Sequence, residues 1–409
     1  MDQKKLINED WLSVLLAFAV IVLSLTIHIV PAPAWGWAEG LPSLVNTTHL
    51  WALAQQALLT FALSLIWALA NRKSIPSFLA AFTIVFLTAT LAQVLAGHAF
   101  MKSLNLEAVI FSLCAGLVIG NLVKLPAWLR NSLSAEFFVK VGLVLLGTNV
   151  LFADIMRAGA LGLVQALAVV ISVWYFAYWL CKKLKLDNEL TMMLASAVSI
   201  CGVSAAIATA GAIKGDSKKL SFVISLVLVT AIPMMIAMPY LAQLMSLPEE
   251  VTGAWLGGTI DTTGAVVAAG SLVGEAALKT SSIVKFSQNV LLGLAAFAIS
   301  IYWTYRGGSA ATEKPTAAVI WERFPKFVIG FVAASLLFSF IVSPEAVSLT
   351  KESLKSLQTQ WFVLAFTCIG LETRFADLVK GNRPAVYAFL GAQLFNIVVT
   401  LAIAWLLFR

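Results

Sequence analysis

Charge is scarce in this chain: Asp, Glu, Lys and Arg make up 11% of its 409 residues, and a soluble domain of that length needs far more polar surface to cover its core. Histidine is nearly missing. His28, His49 and His98 stand apart, with no partner at the spacing of a metal site or a nucleophilic triad. The four cysteines, Cys114, Cys181, Cys201 and Cys368, lie in or beside apolar runs and form no C-x-x-C or Cys/His pattern, so neither a disulfide framework nor a zinc site is indicated. No P-loop, dinucleotide fingerprint or catalytic triad pattern occurs. ATP-driven transport within the chain is therefore not expected, and a membrane-embedded enzyme or sensor subunit would need a constellation that is not found.

Apolar length is what the chain has instead. Hydrophobic residues account for 60% of it, and the mean hydropathy is +0.93. Runs of the ~20 residues that a helix needs to cross a bilayer recur along nearly the whole length. Spans are predicted over about 12–30, 50–70, 76–97, 106–122, 136–152, 158–181, 218–244, 280–304, 322–342, 356–372 and 384–408. The fold class is an all-α integral membrane protein with about 11 transmembrane helices plus two re-entrant or broken Gly-rich segments. The first stretch, Trp11 to Val30 behind Lys4 and Lys5, is too long for the ~7–15-residue apolar core of a cleaved signal peptide. The 27 Lys and Arg against 20 acids sit in short connectors, so the excess reads as topology and not as a nucleic-acid surface.

The two further segments, about 188–213 and 252–275, are apolar but rich in Gly, Ala, Ser and Thr. Such residues allow close helix packing and expose backbone groups that must be satisfied inside the protein. With the N-terminus inside, Arg72 and Lys73, Lys124 and Arg130, and Lys182, Lys183 and Lys185 all fall inside. If segment 188–213 then crossed, Lys214, Lys218 and Lys219 would lie outside and Glu249 and Glu250 inside, against the usual bias. A re-entrant hairpin there, and another at 252–275, removes the conflict and keeps Arg306, Lys314, Arg323, Lys326, Arg374, Lys380 and Arg383 inside. The alternative is that both are crossing helices interrupted at their centres.

Internal similarity points the same way. Leu146 to Asp154 resembles Ile369 to Asp377 at a shift of 223, with Gly147 over Gly370, Phe152 over Phe375 and Asp154 over Asp377. Ser199 to Thr209 resembles Thr259 to Ala269 at a shift of 60. Inverted repeats whose discontinuous segments meet near the midplane are a recurrent transporter plan, and they point to the binding site.

Asp261 is the sharpest chemical signal, because an ionised carboxylate in such a segment is costly unless it is paired, protonated or bound to a cation. Thr259, Thr262 and Thr263 supply oxygens beside it; carboxylate and hydroxyls together suit Na⁺, and a buried carboxylate alone suits a proton. Asp261 as the cap of a half-helix starting near Thr262 is the structural alternative. Ser199, Cys201, Gly202 and Ser204 form the corresponding break in the first segment, and Gly264 follows the second; the start of a half-helix there would face an anion. Lys285, with Gln288 and Asn289 within a helical turn of it, is a candidate for pairing with Asp261 or for an anionic substrate, or else snorkels to the headgroups. Asn149 and Glu372 occupy equivalent places in the 223-residue repeat and are candidate cavity residues. Trp11, Trp35, Trp37, Trp51, Trp128, Trp303, Trp321 and Trp361 fall near span ends and read as an aromatic belt.

Ser199-Ile-Cys-Gly-Val-Ser-Ala-Ala, Val266-Val-Ala-Ala-Gly270 and Ile283-Val-Lys285 resemble signature stretches of the YeiH family, whose name assigns it sulfate export. The resemblance covers about residues 106–408. It implies kinship with the cation/proton antiporter and bile-acid symporter superfamily, inverted repeats, a mobile core domain and alternating access. The family pattern has His-Glu and then Gln where this chain has Asp261, Thr262 and Ala265, a basic residue at Gln288 and an Arg at Asn149, and Glu372 is gained. Positive character has thus been exchanged for negative.

The resulting expectation is a secondary transporter of a small, anionic solute of the sulfate, sulfonate or carboxylate class. Residues 1–105 would be additional N-terminal helices and 106–409 the transporter core. Substrate would meet Ser199, Cys201, Gly202, Ser204, Gly264, Lys285, Gln288 and Asn149. The coupling ion, Na⁺ or H⁺, would meet Asp261, Thr259, Thr262, Thr263 and Glu372, with no other cofactor. A cation/proton antiporter without an anionic substrate is the rival. The expected setting is the plasma (inner) membrane of a bacterium, multi-pass, with the N-terminus cytoplasmic. Expected partners are lipid and the solute, a homodimer is an option, and nucleic acid is not a partner.

Overall fold

The computed structural model describes residues 9–37, 46–103, 108–132, 134–213, 215–305, 321, 325–373 and 382–409. Lys4, Lys5, Lys214, Arg306, Lys314, Arg323, Arg374, Lys380, Phe375 and Asp377, all used above, lie outside the described residues. The helices are α1 (Glu9–Thr26), α2 (Thr47–Ala70), α3 (Ile75–Gly97), α4 (Ala99–Ser103), α5 (Ala108–Leu122), α6 (Ala127–Ser132), α7 (Ala135–Leu146), α8 (Phe152–Lys183), α9 (Asn188–Ser199) and α10 (Val203–Ile213). They continue as α11 (Ser217–Leu244), α12 (Glu249–Thr259), α13 (Thr263–Val273), α14 (Glu275–Tyr305), α15 (Lys326–Leu336), α16 (Pro344–Glu372) and α17 (Arg383–Phe408). Among the described residues, β-structure is limited to a single bridge between Trp37 and His98. Each of the eleven predicted spans overlaps a helix among the described residues. Seven of them, α1, α2, α3, α8, α11, α14 and α17, are long and apolar enough to cross a membrane unaided.

The chain divides into two compact units. The first comprises Met1–Ala153 and Lys326–Thr373. Its centre is α16, which packs along α5 and α7. Gly116 and Gly120 on α5 meet Gly370 on α16 so closely that a Cβ at Gly116 would stand 2.5 Å from the Thr367 carbonyl oxygen. Small residues at such a crossing let two backbones touch. Polar residues of α16 are matched singly: Gln56 of α2 donates to Ser356 (2.8 Å), Asn149 to Gln358 (3.2 Å) and Gln93 of α3 to Gln360 (2.7 Å). Two expectations are corrected here. Trp361 is no belt residue; it is fully buried, its ring 5.6 Å from that of Phe137. The span predicted over 136–152 ends as a helix at Leu146 and passes into a 3-10 turn, Gly147–Asn149. The cause is local packing, since Gly147 lies against the Phe331 carbonyl, where a Cβ would be 2.4 Å from the oxygen.

The second unit, Asp154–Pro325 and Arg374–Arg409, holds both Gly-rich segments. Each is a pair of half-helices broken at the same register, because α9 and α12 stop at Ser199 and Thr259 while α10 and α13 start at Val203 and Thr263, the shift of 60 seen in the sequence. Each is also a re-entrant hairpin. The ends of the first segment lie together: Glu189 accepts from the Asp216 N–H (3.3 Å), and Lys219 bonds Asp187 (2.8 Å) and Glu189 (3.1 Å). In the second, Gly253 and Gly257 of α12 face Ala277 and Ser281 of α14, so these helices run side by side in one direction. The return helix of that hairpin, α13, brings Gly274 back beside the Glu249 carboxylate at the start of α12. One hairpin is rooted where α11 begins and the other where it ends, and 28 residues of α11 span about 42 Å at helical rise. The hairpins therefore enter from opposite ends.

Asp187 works twice at the root of the first hairpin, as the α9 N-cap accepting from the Leu190 N–H (3.1 Å) and as a partner of Lys219. Partial burial opposes its ionisation, but Lys219 and the Leu190 amide hold the carboxyl below its usual range. Its contribution is therefore present above the unfolded-state pKa of about 3.9 and is lost as pH falls through the lower folded value. With side chains 35% and 48% exposed, the pair is expected to contribute no more than about 1 kcal/mol. Lys219→Ala should lower the unfolding midpoint slightly at pH 7 and low salt, and not measurably in 1 M salt.

Candidate functional site

Helices that stop inside a protein leave carbonyls without intrahelical partners, and at membrane depth these must be met by side chains. The hairpin tips show how. Gln288 of α14 donates to the Ser199 carbonyl (2.9 Å) and to the Gly258 carbonyl (3.3 Å), one from each break. Asn396 of α17 does the same for Val198 (3.1 Å) and Thr259 (3.3 Å), with its own oxygen accepting from Thr400 (2.7 Å). Gln393, one turn earlier, donates to the Thr259 carbonyl at 3.0 Å. Two amides thus join the two hairpins into one body.

The tips touch at Gly202 and Asp261. Gly202 has φ +61°, and a Cβ there would lie 3.1 Å from the Asp261 Cβ and 2.6 Å from Val227. Val227 stands ten residues into α11, and Lys285 ten residues into α14. Ten residues of helix rise about 15 Å, so the meeting point lies well inside the unit and not at the ends of these helices.

Asp261 is 2% exposed, and its Oδ2 has no hydrogen-bond partner. Lys285, 1% exposed, is no snorkelling lysine. Its ammonium donates to the Ile200 carbonyl (3.0 Å) and to Gln288 Oε1 (2.8 Å), and no ion pair within 4.0 Å joins it to Asp261 among the described residues. The carboxylate and the ammonium occupy the same buried neighbourhood without neutralising each other directly. Asp261 is not a helix cap either: Thr262 caps α13, accepting from the Ala265 N–H at 3.3 Å.

The remaining candidates divide by surroundings. Ser199, Cys201, Gly202 and Gly264 are buried, and the Ser199 hydroxyl is turned back onto the Ala195 carbonyl at 2.7 Å. Ser204, in the first turn of α10, is exposed, and Thr262 and Thr263 at the start of α13 are half-buried. Thr263 accepts from Asn289 (3.3 Å). The tips so present two chemistries, carbonyl ends inside and the positive N-terminal ends of α10 and α13 with hydroxyls toward the unit's surface. Asn149 and Glu372 belong to the first unit, where Asn149 donates to Gln358 and Glu372 accepts from the Ala135 N–H at 3.4 Å. A cleft of about 380 Å³ in the second unit lies elsewhere, lined by Arg157, Glu250, Glu275, Lys279 and Thr280 among others, and none of the residues around Asp261 lines it.

Sequence reading missed Gln393, Asn396 and Thr400. Their signal was present: three polar residues at i, i+3 and i+7 fall on one face of an otherwise apolar span.

Fold and site define a polytopic helical membrane protein with two re-entrant hairpins meeting tip to tip. The chain belongs to the family described as conserved hypothetical protein 698, whose model matches residues 76–388. It is 42% identical over 359 residues to a UPF0324 membrane protein of Rhodopirellula baltica, covering 84% of this chain and 66% of that one. A UPF0324 membrane protein of Nitratidesulfovibrio vulgaris is 38% identical over 368 residues, 86% of this chain and 63% of that one. This chain thus spans just under two thirds of the length of both relatives. A third, from Nitrosomonas europaea, is 27% identical over 98% of this chain and 96% of its own. No solved structure matches.

Proposed function

We propose that this protein is a secondary active transporter, not an enzyme, that moves a small anion by alternating access and couples it to Na⁺ or H⁺ at Asp261. The observation that carries this reading is the unpaired, buried Asp261 carboxylate at the meeting point of two hairpins that enter from opposite ends. Intramembrane carboxylates are expensive, and discontinuous segments meeting at the midplane are where transporters bind their cargo. The anionic class is supported by the N-terminal ends of α10 and α13, which place Ser204, Thr262 and Thr263 at accessible positions. The setting would be the plasma membrane of a bacterium. Lys182, Lys183, Lys185 and Lys219 at the root of the first hairpin mark the cytoplasmic side, and Glu249, Glu250 and Glu275 at the root of the second mark the outer side.

Proteoliposomes test it directly. Uptake of labelled sulfate, a sulfonate or a carboxylate is expected to follow an imposed Na⁺ or pH gradient, and Asp261→Asn is expected to reduce it by at least 100-fold. Ion-dependent uptake that persists in Asp261→Asn removes Asp261 from the mechanism. Exchange of Na⁺ for protons, read by an internal pH dye with no anion present, would establish the rival antiporter reading, which the same carboxylate supports.

A further inference from the structure

We propose that the coupling ion is Na⁺, held by Asp261 Oδ2, Thr259 Oγ1 and Gln393 Oε1; this rests on reading the second unit as an ion-coupled carrier. Three oxygens without a hydrogen-bond partner belong to residues brought together at the end of α12: Thr259 is its last residue, Asp261 follows two residues on, and the Gln393 amide donates to the Thr259 carbonyl. Thr259, Asp261 and Gln393 are 1%, 2% and 3% exposed. Buried polar atoms are almost always satisfied, so several orphans in one place call for a ligand. Each of the three offers a lone pair to a cation.

The orientation of Gln393 is settled by its neighbours. Its Nε2 donates to the Thr259 carbonyl (3.0 Å) and to Met234 Sδ (3.1 Å), neither of which can donate in return, so Oε1 is the free end of the amide. Thr259 is the last residue of α12, and a helix C-terminus carries partial negative charge that favours a cation. The nearby ammonium does not take the place of that cation, since Lys285 is committed to Ile200 and Gln288.

A hard cation draws several oxygens at once. A single carboxylate suits a monovalent ion, and among the described residues no three His, Cys, Asp or Glu side chains come together as a divalent site would want.

The experiment is thermal unfolding of the purified full chain in detergent at pH 8 and constant ionic strength, with NaCl exchanged for choline chloride and, in a second arm, for KCl. A ligand that binds only the folded state raises the midpoint, so a saturable rise with Na⁺, weaker with K⁺ and absent with choline, is expected. Asp261→Asn should abolish the rise. Thr259→Val keeps the shape and removes an unpartnered hydroxyl, so its midpoint in choline should be unchanged or higher, while its apparent Na⁺ constant weakens at least tenfold. Gln393→Met gives an independent check, because the Thr259 carbonyl keeps Asn396 as donor; it too should weaken Na⁺ at least tenfold. The proposal is overturned if the wild type shows no Na⁺-specific rise, or if the Thr259→Val and Gln393→Met titrations superimpose on it. Proton-driven anion uptake that still requires Asp261 would in that case leave the transporter reading standing without Na⁺. A Na⁺ rise without uptake of any anion would do the reverse.

Discussion

Gly202→Ala is expected to destabilise the second unit by about 2–5 kcal/mol and to abolish transport. A left-handed backbone costs a residue with a Cβ about 1–2 kcal/mol, and Gly202 sits at φ +61°. Overpacking adds about 1–3 kcal/mol, because the new methyl would approach Val227 to 2.6 Å and the Asp261 carbonyl oxygen to 3.2 Å. Only the first contact is with the end of a side chain. Val227→Ala should therefore recover part of the loss, with a coupling above about 1 kcal/mol in a double-mutant cycle, and leave the backbone part. Additive effects of the two substitutions, read from denaturant midpoints in micelles, would show that the tips do not pack as described.

Gln288→Leu is expected to cost a similar amount for an unrelated reason. It keeps roughly the same volume but removes, among the described residues, the side-chain donor to the Ser199 and Gly258 carbonyls and one of the two acceptors of Lys285. Each buried group left unsatisfied costs about 1–3 kcal/mol, so a loss of about 2–6 kcal/mol follows for the two carbonyls. Asn289→Leu, one residue on, removes a single side-chain bond to Thr263 and should cost no more than about 1.5 kcal/mol. Equal losses from the two, measured as shifts in the same unfolding midpoint, would mean that Gln288 does not join the hairpins.

The family resemblance has a counterpart in these residues. Where the resemblance implies a basic residue, Gln288 is neutral, and its amide donates to both broken helix ends. The hydroxyls left at accessible positions are those of Ser204, Thr262 and Thr263. The proposed anion site on this unit would therefore depend on helix N-termini and hydroxyls more than on formal positive charge.

The eleven spans, the two interrupted segments, their shift of 60 and the position of Asp261 at the second break were all determined by the sequence alone. Length and apolarity decide whether a segment can cross a bilayer, and small or ionisable residues stand out against so uniform a background. The charge pattern of Lys182 to Lys185, Lys219 and Glu249 to Glu250 also favoured hairpins, for the reason that a membrane sorts charges by side. Whether those hairpins were real, which atoms answer their broken ends, and that Lys285 turns from Asp261 toward Ile200 were decided only by tertiary structure. Gln393 and Asn396 lie more than 130 residues along the chain from Thr259. Their amides matter because of which carbonyls they reach, and reach across a fold is a property of packing that no local pattern encodes.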